Sequence, residues 1–453
     1  MKNTNRLLSR RDFVQKSVKG MIGVAVMPTI LTSCSNWKGA NDRVAVAHIG
    51  VGSRGTEELK SYFLAVKDAM NIAVADTFKD RRENVALMVN KYYKDNNLAT
   101  PECKAYLNFQ EILERKDIDA VHITTPDHWH VPAAIMAARA GKHIMLAKPL
   151  GLSYPDFATL KKEVAKNDVH FHYGTQQRTS PHMQLAYKLI SEGAIGEIQR
   201  ADVWAPGGGG GQNVVCNEMA VPEGFDFERW SGPAPQRSYC PERVTNVGSW
   251  YTNDYSIGFL AGWGAHPLDI LVWIAKEKVS GEYSCEGTGK YWTGGLYNNI
   301  MSWDLTNRYT NGFEVRFVSD DIAATGVLKS VGKKDGDGTT FFGTKGWVSL
   351  SRSSASSDIP EINEKLNNFP KSGTYIHSEN NSMGQVFVDV VRGKTKELCP
   401  LDEAIMSDTI SHMGDIAIRT GRKVTWNPDK GEVVGDTEAN RLFIRELRSP
   451  FTV

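Results

Sequence analysis

The sequence predicts a doubly wound parallel α/β sheet followed by an α+β domain with a large open mixed or antiparallel sheet. Three observations predict this. A strand rich in Val and Ala runs into Gly50-Val51-Gly52-Ser53-Arg54-Gly55 and then into an apolar-periodic helix. Strands and helices alternate from there to Lys148-Pro149, as in a parallel sheet with crossover helices. After about Gly174 the strand-like runs become longer and more aromatic, with glycine-rich turns that fit antiparallel pairing.

The elements follow in order. Arg43 to Ile49 reads as a buried strand and Thr56 to Val66 as the helix after the glycine loop. A strand from Asn71 to Ala75 ends on Asp76, and helices follow around 82–93 and 109–115. Strand 120–124 stops at Thr125-Pro126-Asp127-His128-Trp129-His130. Helix 131–140 closes on Gly141 as its C-cap, and strand 143–146 leads to Ala147-Lys148-Pro149. Beyond Gly174, strands are predicted at 198–204, 312–318 and 346–350. The run Gly207 to Gly211 and the serine-rich 351–357 read as loops.

At 453 residues the chain exceeds what one core usually organises, which implies two domains: 43–173 and 174–453. Lys+Arg 53 against Asp+Glu 52 gives a net charge of +1, and no basic field for nucleic acid or an acidic membrane follows from that. The N-terminus reads differently. Ser9-Arg10-Arg11-Asp12-Phe13 is a twin-arginine export pattern, and the apolar stretch 21–31 is too short to span a bilayer. It ends in Leu31-Thr32-Ser33-Cys34, which resembles a lipoprotein cleavage box with Cys34 as the lipidated residue. Residues 1–34 are therefore expected to be a signal and 35–42 a polar linker, giving a periplasmic, lipid-anchored protein. Six cysteines without a C-x-x-C pair indicate neither a disulfide framework nor a zinc site, and core thiols are expected.

G-x-G-x-x-G between a strand and a helix, with an acid ending the next strand, is the dinucleotide fingerprint of a Rossmann domain. Gly50 allows the tight turn, Gly52 lets the backbone approach a pyrophosphate, and Gly55 lets the helix pack against the sheet. The pyrophosphate would sit at the helix N-terminus over Ser53 and Arg54. Asp76 would accept from the adenosine ribose, which favours NAD, while Arg54 leaves NADP open. Lys148 lies at the carboxyl end of a parallel strand, where open α/β sheets bind ligands.

Val44 to Gly55, Asp76, Thr124-Thr125-Pro126-Asp127-His128, Ala140 to His143 and Lys148-Pro149 together resemble the Gfo/Idh/MocA oxidoreductase family. So do Gly174 to Arg178, Ser191 to Gly196, Trp230 to Pro235, Trp263 to Asp269 and the tail from Asn440. The resemblance implies a homo-oligomeric nicotinamide enzyme acting on sugars or polyols, with Lys148 and His266 over the nicotinamide and Thr125, Pro126 and His128 beside the cofactor. His266 would take a hydroxyl proton, and Lys148 would stabilise the developing alkoxide. The sequence departs from the family pattern twice: Ala147 replaces a Glu, and Gly262 stands where an Asp usually precedes the histidine. Asp254, Tyr255 or Asp269 could supply that acid; without it, His266 is expected to titrate closer to an unperturbed imidazole than it would beside a carboxylate.

Arg178, Trp250, Tyr251 and Asp269 suit sugar binding, since aromatic faces pack on C–H surfaces and charged groups bond hydroxyls. His128/His130 and His170/His172 are spaced like metal ligands, but no third ligand fits and no metal is expected. The reading favoured by the sequence is a nicotinamide-dependent oxidoreductase for a hydroxyl of a sugar or glycoside, with tightly bound NAD. The alternatives are an NAD-dependent glycosidase working by transient oxidation and elimination, and a non-catalytic sugar-binding lipoprotein.

Overall fold

The computed structural model describes residues 43–208, 213–331, 336–369 and 382–453; the export pattern and Cys34 lie outside them. Six parallel strands make the first sheet: β1 Val44–Ile49, β2 Ala69–Ala75, β3 Lys104–Tyr106, β4 Ala120–Ile123, β5 His143–Leu146 and β6 Phe171–Tyr173. Their order is β3-β2-β1-β4-β5-β6, so the chain reverses direction across the sheet between β1 and β4. That switch point opens a crevice at the strands' carboxyl ends. β1 is buried at every position, as a central strand covered on both faces must be.

The second sheet has nine strands: β7 Ile198–Ala205, β8 Tyr283–Tyr291, β9 Ile300–Tyr309, β10 Glu314–Ser319, β11 Gly338–Gly343, β12 Trp347–Ser351, β13 Ala355–Ser357, β14 Val424–Asn427 and β15 Glu432–Val433. The order is β13-β12-β11-β7-β10-β9-β8-β14-β15, antiparallel except for β7 beside β10. A separate apolar core fills the space between this sheet and the helices Ala265–Val279 and Leu401–Thr420.

Three local expectations change. The helix after β4 runs Asp127–Arg139, so Asp127 to His130 form its first turns instead of a loop. Pro132 sits inside this helix, past the first turn where proline is usually found. The helix after the glycine loop begins at Ser53 and passes into a π-helical turn, Leu59–Phe63. The serine-rich 351–357 is a tight hairpin between β12 and β13, with Arg352 at the turn.

A fourth correction concerns the cysteines. Cys103, Cys285 and Cys399 are buried free thiols, but Cys216 and Cys240 form a disulfide. They lie 24 positions apart, so no short spacing motif signals the pair.

Candidate active site

The glycine loop joins β1 to the helix Ser53–Glu58 and opens into a cleft of about 400 Å³. No side chain caps that helix, which leaves its first N–H groups and positive dipole end free for an anion. Gly50 has φ +84°, and a Cβ there would meet the Thr124–Thr125 backbone at 2.8 Å. A Cβ at Gly55 would strike the Gly50 carbonyl oxygen at 2.1 Å. Gly52 differs, because a Cβ there meets only an Arg81 guanidinium nitrogen at 3.4 Å. Packing within the protein does not demand glycine at 52, and its absent side chain leaves the backbone there open to close approach from the cleft.

Asp76, at the carboxyl end of β2, accepts from the N–H groups of Val51 and Phe78, each at 2.9 Å. Burial pushes its pKa up, against those two bonds and the positive charges of Arg81 and Arg82. Two N–H bonds leave further lone pairs on the carboxylate for ribose hydroxyls. Ser53, Arg54, Thr125 and Pro126 line the same cleft, so the donor set suits a dinucleotide.

Lys148 and His266 both line this cleft. Lys148 follows β5, and its Nζ donates to the Gly262 carbonyl at 2.6 Å and lies 5.0 Å from the Trp250 ring centre. Burial lowers its pKa to about 8; Asp127 opposes this, and Arg54 adds to it. His266 is 3% exposed, in the first turn of Ala265–Val279. Its pKa falls well below the ordinary imidazole value, first through burial and then through Lys148, Arg352 and Arg54. With no carboxylate beside it, His266 gains no upward shift, and burial and the nearby cations move it below the ordinary value; the imidazole sits neutral, as a group able to accept a proton must.

The helix Leu401–Thr420 braces both segments. Asp408 accepts from the N–H groups of Leu150 and Gly151 at 3.3 and 3.4 Å, just after Lys148. Ser411 Oγ donates to the Leu260 carbonyl at 3.1 Å, just before Gly262. Removing one side of a buried pairing of this kind exposes unsatisfied groups, so the brace fixes the lysine and its acceptor together.

Several sequence expectations move elsewhere. Arg178 and Asp269 are both 0% exposed and paired, Nε to Oδ2 at 2.8 Å, and Arg178 also bonds Glu403. They tie the helix of His266 to Leu401–Thr420 and are not available to a sugar. Tyr251 turns away from the cleft, its hydroxyl donating to the Gly208 carbonyl, whereas Trp250 lines the cleft. His128 is 5% exposed behind the cleft wall, with Nε2 on the Trp230 carbonyl at 2.9 Å. Being on a helix, His128 and His130 do not share a face, and no metal-like group of His, Cys, Asp or Glu occurs among the described residues. Asp254 pairs with Arg237 at 2.7 Å and Tyr255 is fully buried, so neither replaces the missing acid.

The carboxylate that acts most on Lys148 is Asp127, ahead of Glu58; Asp127 is a cleft residue 4% exposed that accepts from Ser256 Oγ at 2.7 Å. Arg352 also lines the cleft, its guanidinium 5.4 Å from the Trp263 ring centre. No sequence pattern marks Arg352, because only the β12–β13 hairpin carries it there. Asp127 sits inside the quoted motif, but its proximity to Lys148 is a tertiary fact.

Residues 44–175 match the family model described as the oxidoreductase family NAD-binding Rossmann fold, and 204–453 match the oxidoreductase family C-terminal alpha/beta domain. The chain belongs to the Gfo/Idh/MocA oxidoreductase family. This Gfo/Idh/MocA chain is 32% identical over 157 residues to a scyllo-inositol 2-dehydrogenase (NAD(+)) of Bacillus subtilis, covering 34% of the chain and 42% of that protein. It is 29% identical over 163 residues to a glycosyl hydrolase family 109 protein of Saccharopolyspora erythraea, covering 35% and 34%. The aligned stretches thus span less than half of either relative. Two solved structures share the fold. The WlbA dehydrogenase of Bordetella pertussis, in complex with NADH and UDP-GlcNAcA, has a TM-score of 0.60 at 14% identity, over 85% of this chain and 98% of that one. The aldose-aldose oxidoreductase of Caulobacter crescentus has a TM-score of 0.59 at 15% identity, over 85% and 100%. The cofactor of the Gfo/Idh/MocA Rossmann domain is NAD.

Proposed function

We propose that this chain is an exported, lipid-anchored enzyme that oxidises a hydroxyl of a sugar or glycoside with NAD retained in its cleft. The observation that carries this is that Lys148 and His266 share one cleft with the glycine loop. Bound nicotinamide would supply the hydride acceptor. His266, held neutral, takes the hydroxyl proton, and Lys148 donates a hydrogen bond to the same oxygen. Trp250 and Trp263 offer flat apolar faces for the sugar's C–H surface.

Export supports retention, since a dinucleotide carried across a membrane is not replaced from outside. Reduction of a second carbonyl compound by the same enzyme would restore the cofactor in place. The Cys216–Cys240 bond supports an oxidising compartment, because such bonds are rare in the cytosol. Among the described residues no helix is long and apolar enough to cross a membrane; in this reading the lipid on Cys34 provides the attachment. The domain division at 173/174, the signal 1–34 with its linker 35–42, and a homo-oligomer belong to this reading.

The test is mass spectrometry of nucleotide released from the purified full chain, followed by a glycoside panel read by product mass. Near-stoichiometric NAD and a keto product support the proposal; a protein recovered empty that binds NAD only weakly overturns it. The similarity to a glycosyl hydrolase family 109 protein favours a second reading, oxidation followed by elimination of the aglycone. Net release of free sugar without a keto product would select that one. Binding without any turnover would leave a sugar-binding lipoprotein. Cys34→Ala should move the protein from the membrane to the soluble fraction.

A further inference from the structure

Charge is distributed unevenly around the cleft. The four carboxylates that line it, Glu57, Glu58, Asp76 and Asp127, all come from the Rossmann part of the chain. Among the described lining residues beyond Gly174, Arg352 alone is charged, since His266 sits neutral. The cations of the Rossmann side have partners. Arg54 donates to Glu58 at 2.7 Å and Glu57 at 3.1 Å, and Lys148 is held by the Gly262 carbonyl and faces Asp127. Arg81 lies by Gly52 and Asp76, at the adenosine end where the dinucleotide would take it up. Arg352 is different. No hydrogen bond joins its guanidinium to another described residue.

The backbone that carries Arg352 is firmly held. Ser351 N–H donates to the Ser354 carbonyl at 2.8 Å across the β12–β13 turn, and His182 Nε2 donates to the Ser351 carbonyl at 3.1 Å. Asp337, 5% exposed, places Oδ1 3.5 Å from Arg352 Nε, while its Oδ2 accepts from Gln177 Nε2 at 2.7 Å. The carboxylate thus stands at the inner edge of the guanidinium and leaves both terminal nitrogens unclaimed. Those nitrogens are near the reacting groups. The guanidinium lies 5.4 Å from the Trp263 ring centre, Lys148 Nζ lies 6.0 Å from it, and the His266 ring lies 6.1 Å from it. Gln176 lines the same cleft, and its buried Oε1 has no partner in the protein, as an acceptor kept for a ligand hydroxyl would.

We propose that Arg352 selects an acidic sugar. The substrate carries a carboxylate or a sulfate ester, and the arginine fork binds that group while Lys148 and His266 hold the hydroxyl to be oxidised. The inference rests on the reading that this cleft oxidises a sugar or glycoside. Both anionic groups present paired acceptor oxygens, which a guanidinium meets with two parallel N–H bonds; a neutral hydroxyl offers one oxygen and no charge. Trp263 shields one side of the fork from water, so the attraction is screened less than on an open surface. The anionic group takes no part in the oxidation. It fixes which sugar enters and how its ring lies against the lysine and the histidine.

The test uses the full chain loaded with NAD and matched sets of methyl glycosides, their uronosides and their sulfate esters in the gluco, galacto and manno series. kcat/KM for the keto product is read by mass. The wild type should favour an acidic sugar over its neutral counterpart by about tenfold or more, the worth of one charge-assisted bidentate contact. Whether the uronoside or the sulfate is preferred names the group. Arg352→Gln should erase that preference, chiefly through KM. Arg352→Lys should keep part of it, because the charge stays and the fork is lost. Should Arg352→Gln not fold, the wild-type preference must still shrink as salt is added. No preference for any acidic sugar, or a preference that persists in Arg352→Gln, overturns the assignment and leaves the oxidoreductase reading standing. NAD-loaded protein that oxidises neither neutral nor acidic sugars overturns both.

Discussion

Lys148 Nζ donates to the backbone carbonyl of Gly262 at 2.6 Å, at the position where the family pattern places an acid. The lysine is thus held by a neutral dipole from that side, and Asp127, with a smaller part from Glu58, supplies negative charge from the Rossmann side. A carbonyl orients an ammonium without neutralising it, which leaves Lys148 more easily deprotonated than a salt-bridged lysine.

Gly262→Asp should fold and should raise the pKa of Lys148. A Cβ at 262 meets nothing closer than the Trp250 ring at 4.0 Å, so the side chain has room. The added carboxylate favours the charged lysine, moving the alkaline limb of the pH–rate profile up by about one unit. An unmoved limb in a variant of wild-type thermal stability would show that residue 262 does not address Lys148.

Gly52→Val should leave the fold intact and abolish NAD retention. The added side chain faces the cleft and displaces at most one Arg81 nitrogen, so its cost falls on the ligand. Circular dichroism and thermal unfolding would check the fold, and nucleotide released on denaturation would check binding. Stoichiometric NAD in the variant would remove the pyrophosphate from this turn.

Asp269→Asn should lower stability by about 1.5–3 kcal/mol, since it weakens a charge-assisted buried pair while Glu403 still faces Arg178. Denaturant unfolding measures the loss, and NAD retention should survive in the folded fraction. A stable variant with weakened sugar affinity would return Asp269 to the substrate site.

The contrast between Gly52 and Asp269 shows how far the sequence reaches. The strand, glycine loop, helix and Asp76 follow one another within a local run, and turn geometry, helix ends and strand periodicity are local physics. Lys148 follows because a parallel strand's carboxyl end is a known place once the strand is recognised. Arg178 and Asp269 are 91 residues apart, and nothing local separates a charge aimed at a sugar from one that pairs inside the core. Arg352 and the Cys216–Cys240 bond were illegible for the same reason, since each depends on chain paths that meet only in three dimensions. His266 was legible as a residue but not as a titrating group, because its pKa is set by burial and by three cations from distant segments.

The pH dependence of the chemical step follows from the two cleft groups. Lys148 has its pKa lowered to about 8, so its donating, protonated form prevails at neutral pH and is lost as pH rises through about 8. His266 is lowered well below 6.5, so its accepting, neutral form is present throughout the neutral range and is lost only at distinctly acidic pH. Single-turnover reduction of the retained cofactor, followed by absorbance, should therefore be flat between about pH 6 and 7 and should decline on the alkaline side. Lys148→Ala should retain NAD, lose the alkaline limb and turn over about a hundredfold or more slowly, the usual cost of one positioned charge. His266→Ala should be slow across the neutral range and recover partly at high pH, where hydroxide takes the proton instead. An acid limb centred near pH 6.5 in the wild type would mean that His266 is not desolvated in the working enzyme. Wild-type rates in both alanine variants would move the chemistry away from this pair altogether.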